Sequence, residues 1–164
     1  MKSDFNHATT DMDFNIHDIP DLDKTEGRRD AYHILLVDDS EDSVQYIKSV
    51  LKPLPYRIDT AENGAVGVGM FQEDYYHLVL MDIQMPVMGG YTATQLIREW
   101  ERNNNLLMTP IIAISANVFE GDKEHSIEAG CNEHLRKPLD KKTLQYVIRK
   151  HIYLSMLQAF NHNK

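Results

Sequence analysis

A chain of 164 residues, 42% of them hydrophobic, is long enough to enclose one core of ordinary domain size. Its 17 Lys and Arg against 25 Asp and Glu leave a net charge of −8, which argues against nucleic acid or an anionic membrane as the main partner. One cysteine, Cys131, excludes an internal disulfide, and with neither a secretory h-region nor an apolar run of spanning length the sequence reads as cytoplasmic.

Residues 1–31 are polar and acidic, with eight acids and four bases in the first thirty. They read as a solvated tail. Met12, Phe14 and Ile16 alternate with polar residues, so the other reading is an extended docking segment. A single domain is expected over 32–153, with 154–164 as a helical extension or tail.

From Tyr32 the texture alternates. Ile34 to Val37 is a short apolar strand ending at Asp38-Asp39. Ser40 opens a helix whose apolar positions Val44, Ile47, Val50 and Leu51 recur at helical spacing. Tyr56 to Thr60 alternates apolar and polar like an edge strand. Asn63 to Gln72 predicts a helix weakened by Gly67 and Gly69, each costing about 1 kcal/mol relative to Ala. Leu78 to Met81 is a second wholly apolar strand, ending at Asp82 before a loop marked by Pro86 and Gly89-Gly90. Ala93, Leu96, Ile97 and Trp100 predict one helix face. Ile111 to Ile114 is the third apolar strand, ending at Ser115. A polar helix is expected over Val118 to Ala129, stopped by Gly130, and a short polar strand over Asn132 to Arg136. Asp140 caps a last helix carrying Leu144, Val147, Ile148 and Ile152, with Tyr153, Met156, Leu157 and Phe160 continuing the spacing.

Five strand–helix units predict an α/β fold: a doubly wound (βα)5 parallel five-stranded sheet of flavodoxin-like form. Central strands bury both faces and edge strands do not, so the order is 2-1-3-4-5. That order makes strands one and three neighbours where the winding reverses. Asp38, Asp39 and Asp82 then share one crevice.

Three close carboxylates require a cation or raised pKa values. An all-oxygen set favours a hard ion. Mg²⁺ suits it, taking Asp39, Asp82 and the Gln84 carbonyl directly and Asp38 through water, whereas the ligand spacing of a Ca²⁺-binding loop is absent. Such a cation would neutralise a phosphoryl group arriving at Asp82, the nucleophile. Ser115 and Lys137, at the ends of the fourth and fifth strands, supply a hydroxyl and an ammonium for its oxygens.

The segments Leu36-Val37-Asp38-Asp39-Ser40, Met81-Asp82-Ile83-Gln84-Met85-Pro86-Val87-Met88-Gly89-Gly90-Tyr91, Ile112-Ala113-Ile114-Ser115-Ala116-Asn117 and Leu135-Arg136-Lys137-Pro138 resemble the receiver domain of two-component response regulators, the CheY-like fold. The wording around Asp82 is most similar to receivers of hybrid kinases and phosphorelays. The resemblance covers about Tyr32 to Ile152. It implies a phosphoacceptor, not an enzyme, forming 4-aspartylphosphate at Asp82 from a phosphohistidine on a sensor histidine kinase or histidine phosphotransfer protein, with slow self-dephosphorylation. It also implies Mg²⁺ at Asp38, Asp39, Asp82 and the Gln84 carbonyl, phosphoryl contacts from Ser115 and Lys137, and a cis Lys137-Pro138 bond. Gln84 and Asn117, each two residues past a phosphoryl-contacting residue, are expected to tune lifetime.

His134 stands where the family usually has a Tyr or Phe switch partner to Ser115, and Gly89 where an acidic residue is frequent. With a dozen residues beyond Ile152, output is expected through an output protein bound on the face of the fourth helix, fifth strand and fifth helix, not through DNA. A phosphorylation-independent module of the same fold is the alternative. A flavodoxin or a metal-dependent phosphatase fits worse: the first βα turn is acidic, and residue 84 is not an acid.

Overall fold

The computed structural model describes residues 32–116 and 121–162. The acidic segment 1–31 and Asn117 lie outside the described residues. Ten elements alternate: β1 (Tyr32–Val37), α1 (Glu41–Leu51), β2 (Tyr56–Ala61), α2 (Gly64–Glu73), β3 (Leu78–Asp82), α3 (Gly90–Asn103), β4 (Ile111–Ser115), α4 (Asp122–Ala129), β5 (Glu133–Arg136) and α5 (Lys141–His162). The five strands pair in parallel in the order β2-β1-β3-β4-β5.

Burial explains that order. Every residue of β1, β3 and β4 is buried, whereas β2 exposes Arg57 and Thr60 and β5 exposes Arg136, as edge strands can. One sheet face packs Ile34, Leu36, Leu80 and Ile114 against Ile47 of α1 and Leu144 and Ile148 of α5. The other packs Leu35, Val79, Met81 and Ala113 against Phe71 of α2 and Ile97 of α3. Side chains alternate across each strand, so one sheet feeds both cores.

Helix starts follow the sequence signals. The Ser40 side chain accepts the Ser43 amide, and Asn63 accepts that of Val66. Gly67 does more than loosen α2. A Cβ there would lie 2.8 Å from Val37 Cγ2, so its absence lets α2 press against the strand that carries Asp38. Gly69 faces open space.

One expectation shifts. Leu96 is exposed and Trp100 half-buried, while the inner side of α3 buries Thr94, Arg98 and Glu101. Arg98 is fully engaged: Nη1 reaches Glu101 at 2.7 Å and the Thr109 carbonyl at 2.9 Å, Nε the Gly130 carbonyl, and Nη2 the Asn132 side chain. Paired and hydrogen-bonded on every side, a charge can be buried there without the usual penalty. The last helix continues to His162, with Met156, Leu157 and Phe160 exposed along its final turns.

Candidate functional site

The carboxyl ends of β1 and β3 lie side by side, Val37 in register with Met81, so the residues that follow share one crevice. Asp38 and Asp82 are buried and Asp39 is exposed, and one carboxylate oxygen from each lies within 4.8 Å of the others. Lys137 joins them across the crevice. Its Nζ donates to Asp38 Oδ2 at 3.1 Å and Asp82 Oδ2 at 3.4 Å. The lysine leaves β5 through a backbone bond from its amide to the Ser115 carbonyl, and the Lys137-Pro138 peptide is cis.

Asp38 is held firmly: Ser43 Oγ donates to Oδ2, and the Ser40 amide to Oδ1 at 2.9 Å. Asp82 has fewer partners, the Gln84 amide at 3.3 Å and Lys137. Burial pushes the Asp82 carboxyl up to about 6; Lys137 opposes the shift and Asp38 adds to it. Burial alone would pull Lys137 down, but its bonds to the two carboxylates hold it above its ordinary value. The charge count is three carboxylates to one ammonium. Two negative charges therefore stay uncompensated in a small all-oxygen site, which fits a hard divalent ion.

The loop after β3 is shaped by its own backbone. Gly90 donates its amide to the Ile83 carbonyl, and a Cβ there would collide with the Asp82 carbonyl. Met88 O accepts the Gly64 amide, docking the loop on α2. Val87 sits at φ 69°, a costly conformation for a β-branched residue, and is 85% exposed. Sequence reading missed this residue, because nothing in an isolated Val signals the left-handed region. Gly89 occupies the N-cap of α3 with no side-chain cap bond, the place where an acid would cap the helix.

Ser115 ends β4, one residue past Ile114, the register partner of Asp82. Its Oγ lies 3.1 Å from His134 Nε2, so the two residues singled out as a switch pair are in contact. The ring already sits beside Ser115 rather than outside the pocket. Its other nitrogen, Nδ1, lies 2.6 Å from Ser126 Oγ on α4, a contact with no signature in the sequence. Gln84 is exposed at the mouth of the crevice, with its backbone against Asp82.

Comparison with known proteins agrees with this geometry. A family model described as the response regulator receiver domain matches residues 34–149. Hybrid signal transduction histidine kinase G of Dictyostelium discoideum is 39% identical over 132 residues, 79% of this chain but 4% of that protein. The chain thus spans a small fraction of the curated relatives it matches. Among solved structures, the receiver domain of a sensor histidine kinase from Pseudomonas aeruginosa, with a magnesium ion coordinated in its active-site cleft, is 36% identical with a TM-score of 0.66. The match covers 74% of this chain and 97% of that one. The receiver domain of a Saccharomyces cerevisiae response regulator, solved in complex with its upstream histidine phosphotransfer protein, is 29% identical with a TM-score of 0.65, over 70% and 83% of the two chains. The sheet order, the acidic crevice and these matches lead to one conclusion: the chain belongs to the response regulator receiver domain family, the phosphorelay domain of hybrid kinases and response regulators.

Proposed function

We propose that Asp82 of this chain accepts a phosphoryl group from a phosphohistidine of a sensor histidine kinase or histidine phosphotransfer protein. The observation that carries this reading is the buried Asp82 carboxylate, within 4.8 Å of two further carboxylates and 3.4 Å from an ammonium. In the transfer an Asp82 oxygen attacks phosphorus, the P–N bond breaks, and the imidazole leaves with the bonding pair. Asp38, Asp39, Asp82 and the Gln84 carbonyl would hold Mg²⁺, which when bound neutralises charge on the phosphoryl oxygens. Lys137 turns from its two carboxylates to a phosphoryl oxygen, and Ser115 donates its hydroxyl to another.

Self-dephosphorylation is slow in this reading, because Gln84 and Asn117 can position water but are too weakly basic to activate it. Output passes to a partner protein on the face of α4, β5 and α5, where Ile127 is exposed. Nucleic acid fits neither the net charge nor the crevice. Among the described residues no helix is long and apolar enough to cross a membrane. The cytoplasmic side, where kinases have their nucleotide supply, is the proposed location. A phosphorylation-independent module would not need an ammonium poised between two buried carboxylates.

The test is incubation with phosphoramidate and Mg²⁺, followed by intact mass. The wild type should gain one phosphoryl group, while Asp82→Ala and EDTA-treated protein should gain none. An undiminished mass shift in Asp82→Ala overturns the assignment.

A further inference from the structure

We propose that His134 and Ser126 form a one-way hydrogen-bond relay that reports phosphoryl loading to α4. The relay presupposes the phosphoryl acceptance at Asp82 proposed above.

Its direction follows from counting protons. Ser126 Oγ donates to the Asp122 carbonyl at 2.8 Å, and a carbonyl can only accept. The single hydroxyl proton of Ser126 is then spent, so at the 2.6 Å contact with His134 the serine oxygen accepts and Nδ1–H donates. In a neutral imidazole the other nitrogen is therefore bare. Nε2 accepts from the Ser115 hydroxyl at 3.1 Å. The chain runs from the Ser115 hydroxyl through the imidazole and the Ser126 hydroxyl to the first residue of α4. A phenylalanine could carry none of it, and a tyrosine could not bridge two hydroxyls in this way.

In α4 only Ser126 and Ala129 are buried, and Ile127 is 49% exposed. The N-cap, Gly121, offers no side-chain bond. Tyr91 of α3 reaches the same corner, 3.3 Å from the Asp122 carbonyl and 3.4 Å from Ser126 Oγ. The buried Ser126 hydroxyl thus ties α4 to β5 through His134. When Ser115 turns its proton to a phosphoryl oxygen, Nε2 loses its donor. The imidazole must then find another arrangement, and Ser126 loses a fixed partner. His134 and Ser126 are positioning residues, because neither touches the transferred group.

The full chain is studied with and without beryllofluoride and Mg²⁺, a tetrahedral stand-in for the phosphoryl group. Nitrogen NMR of the unloaded protein should show His134 protonated at Nδ1 and bare at Nε2, with the Nε2 signal moving on loading. The opposite tautomer in the unloaded protein overturns the relay without any substitution. By hydrogen exchange, loading should speed α4 amides near Ile127 and Glu128 by about five- to tenfold, the size expected for losing one buried hydrogen bond. Ser126→Ala should still gain mass with phosphoramidate, show fast α4 exchange before loading, and respond no further. His134→Phe, which keeps a ring and removes both nitrogens, should likewise exchange fast at the outset. Failure of the wild type to load overturns the acceptor reading and the relay together. Normal loading with α4 exchange unchanged, or with the wild-type response in Ser126→Ala, overturns the relay alone.

Discussion

Replacing Asp82 with Asn tests how strongly the crevice resists its own charge. The carboxyl is pushed up to about 6 from an ordinary 3.8, so the folded site holds a proton over a range where the unfolded chain has released it. Two pH units correspond to about 3 kcal/mol, and residual solvent access and coupling to Lys137 reduce that to about 2 kcal/mol. The sign is fixed by linkage. A carboxyl raised in the folded state favours folding below the unfolded value, and that advantage is lost as pH rises to about 6. The amide keeps the bond from the Gln84 amide and leaves Lys137 with Asp38. In EDTA, Asp82→Asn should therefore match the wild type near pH 4 and exceed it by about 2 kcal/mol at pH 7.5. Urea unfolding at both values measures the gap, and other titrating groups cancel in the difference. Millimolar Mg²⁺ should close the gap by stabilising the wild type alone. A variant no more stable than the wild type at pH 7.5 would refute the picture of a site strained by uncompensated charge.

Glycines of α2 should part company. Gly69→Ala meets nothing within 4 Å and should gain about 0.5–1 kcal/mol in urea unfolding, whereas Gly67→Ala drives a methyl into Val37 and should lose about 1–3 kcal/mol. Gln84→Met and Asn117→Ala should change the decay of the labelled protein, followed by intact mass, more than its rate of labelling; unchanged decay in both removes them from the water's path. Truncation after Ile152 should leave cooperative unfolding intact while weakening self-association or partner capture, because Met156, Leu157 and Phe160 are exposed and Ile152 is the last buried residue of α5. A truncated protein that unfolds would place those residues in the core.

Much of the fold was legible because each central strand is an unbroken apolar run and α1, α2 and α5 open on the side-chain caps Ser40, Asn63 and Asp140. The strand order needed only the contrast between Leu78–Met81 and the mixed β2 and β5. The site was legible for a related reason: Asp38, Asp82, Ser115 and Lys137 all follow a strand or end one, and parallel pairing delivers such ends to one edge. What stayed hidden was pairing between distant polar residues. Thr94, Arg98 and Glu101 look like the solvent side of α3, and only the fold shows that Thr109, Gly130 and Asn132 gather around Arg98. Ser126 is a similar case. A serine in a polar helix gives no hint that an imidazole from the next strand will seek its hydroxyl.

These two hidden clusters bear on one helix from opposite ends. Gly130, just past α4, stands at φ 106°, and a Cβ there would lie 2.9 Å from Arg98 Cγ. Its carbonyl is fixed by Arg98 Nε, and Asn132, two residues on, takes both Arg98 Nη2 and the Ile111 amide. The carboxyl end of α4 is thereby bound to α3 and β4 by a buried, fully partnered guanidinium. Toward its amino end, Ser126 meets His134 and Tyr91 reaches the Asp122 carbonyl. Breaking a buried charge network costs several kcal/mol, whereas exchanging one neutral hydrogen bond costs about one. In the relay proposed above, a disturbance entering through Ser115 would be taken up around Ser126, with Gly130 as the fixed point. The displaced surface would include Ile127 on the output side, and Gly130, just past the helix, would hold its place.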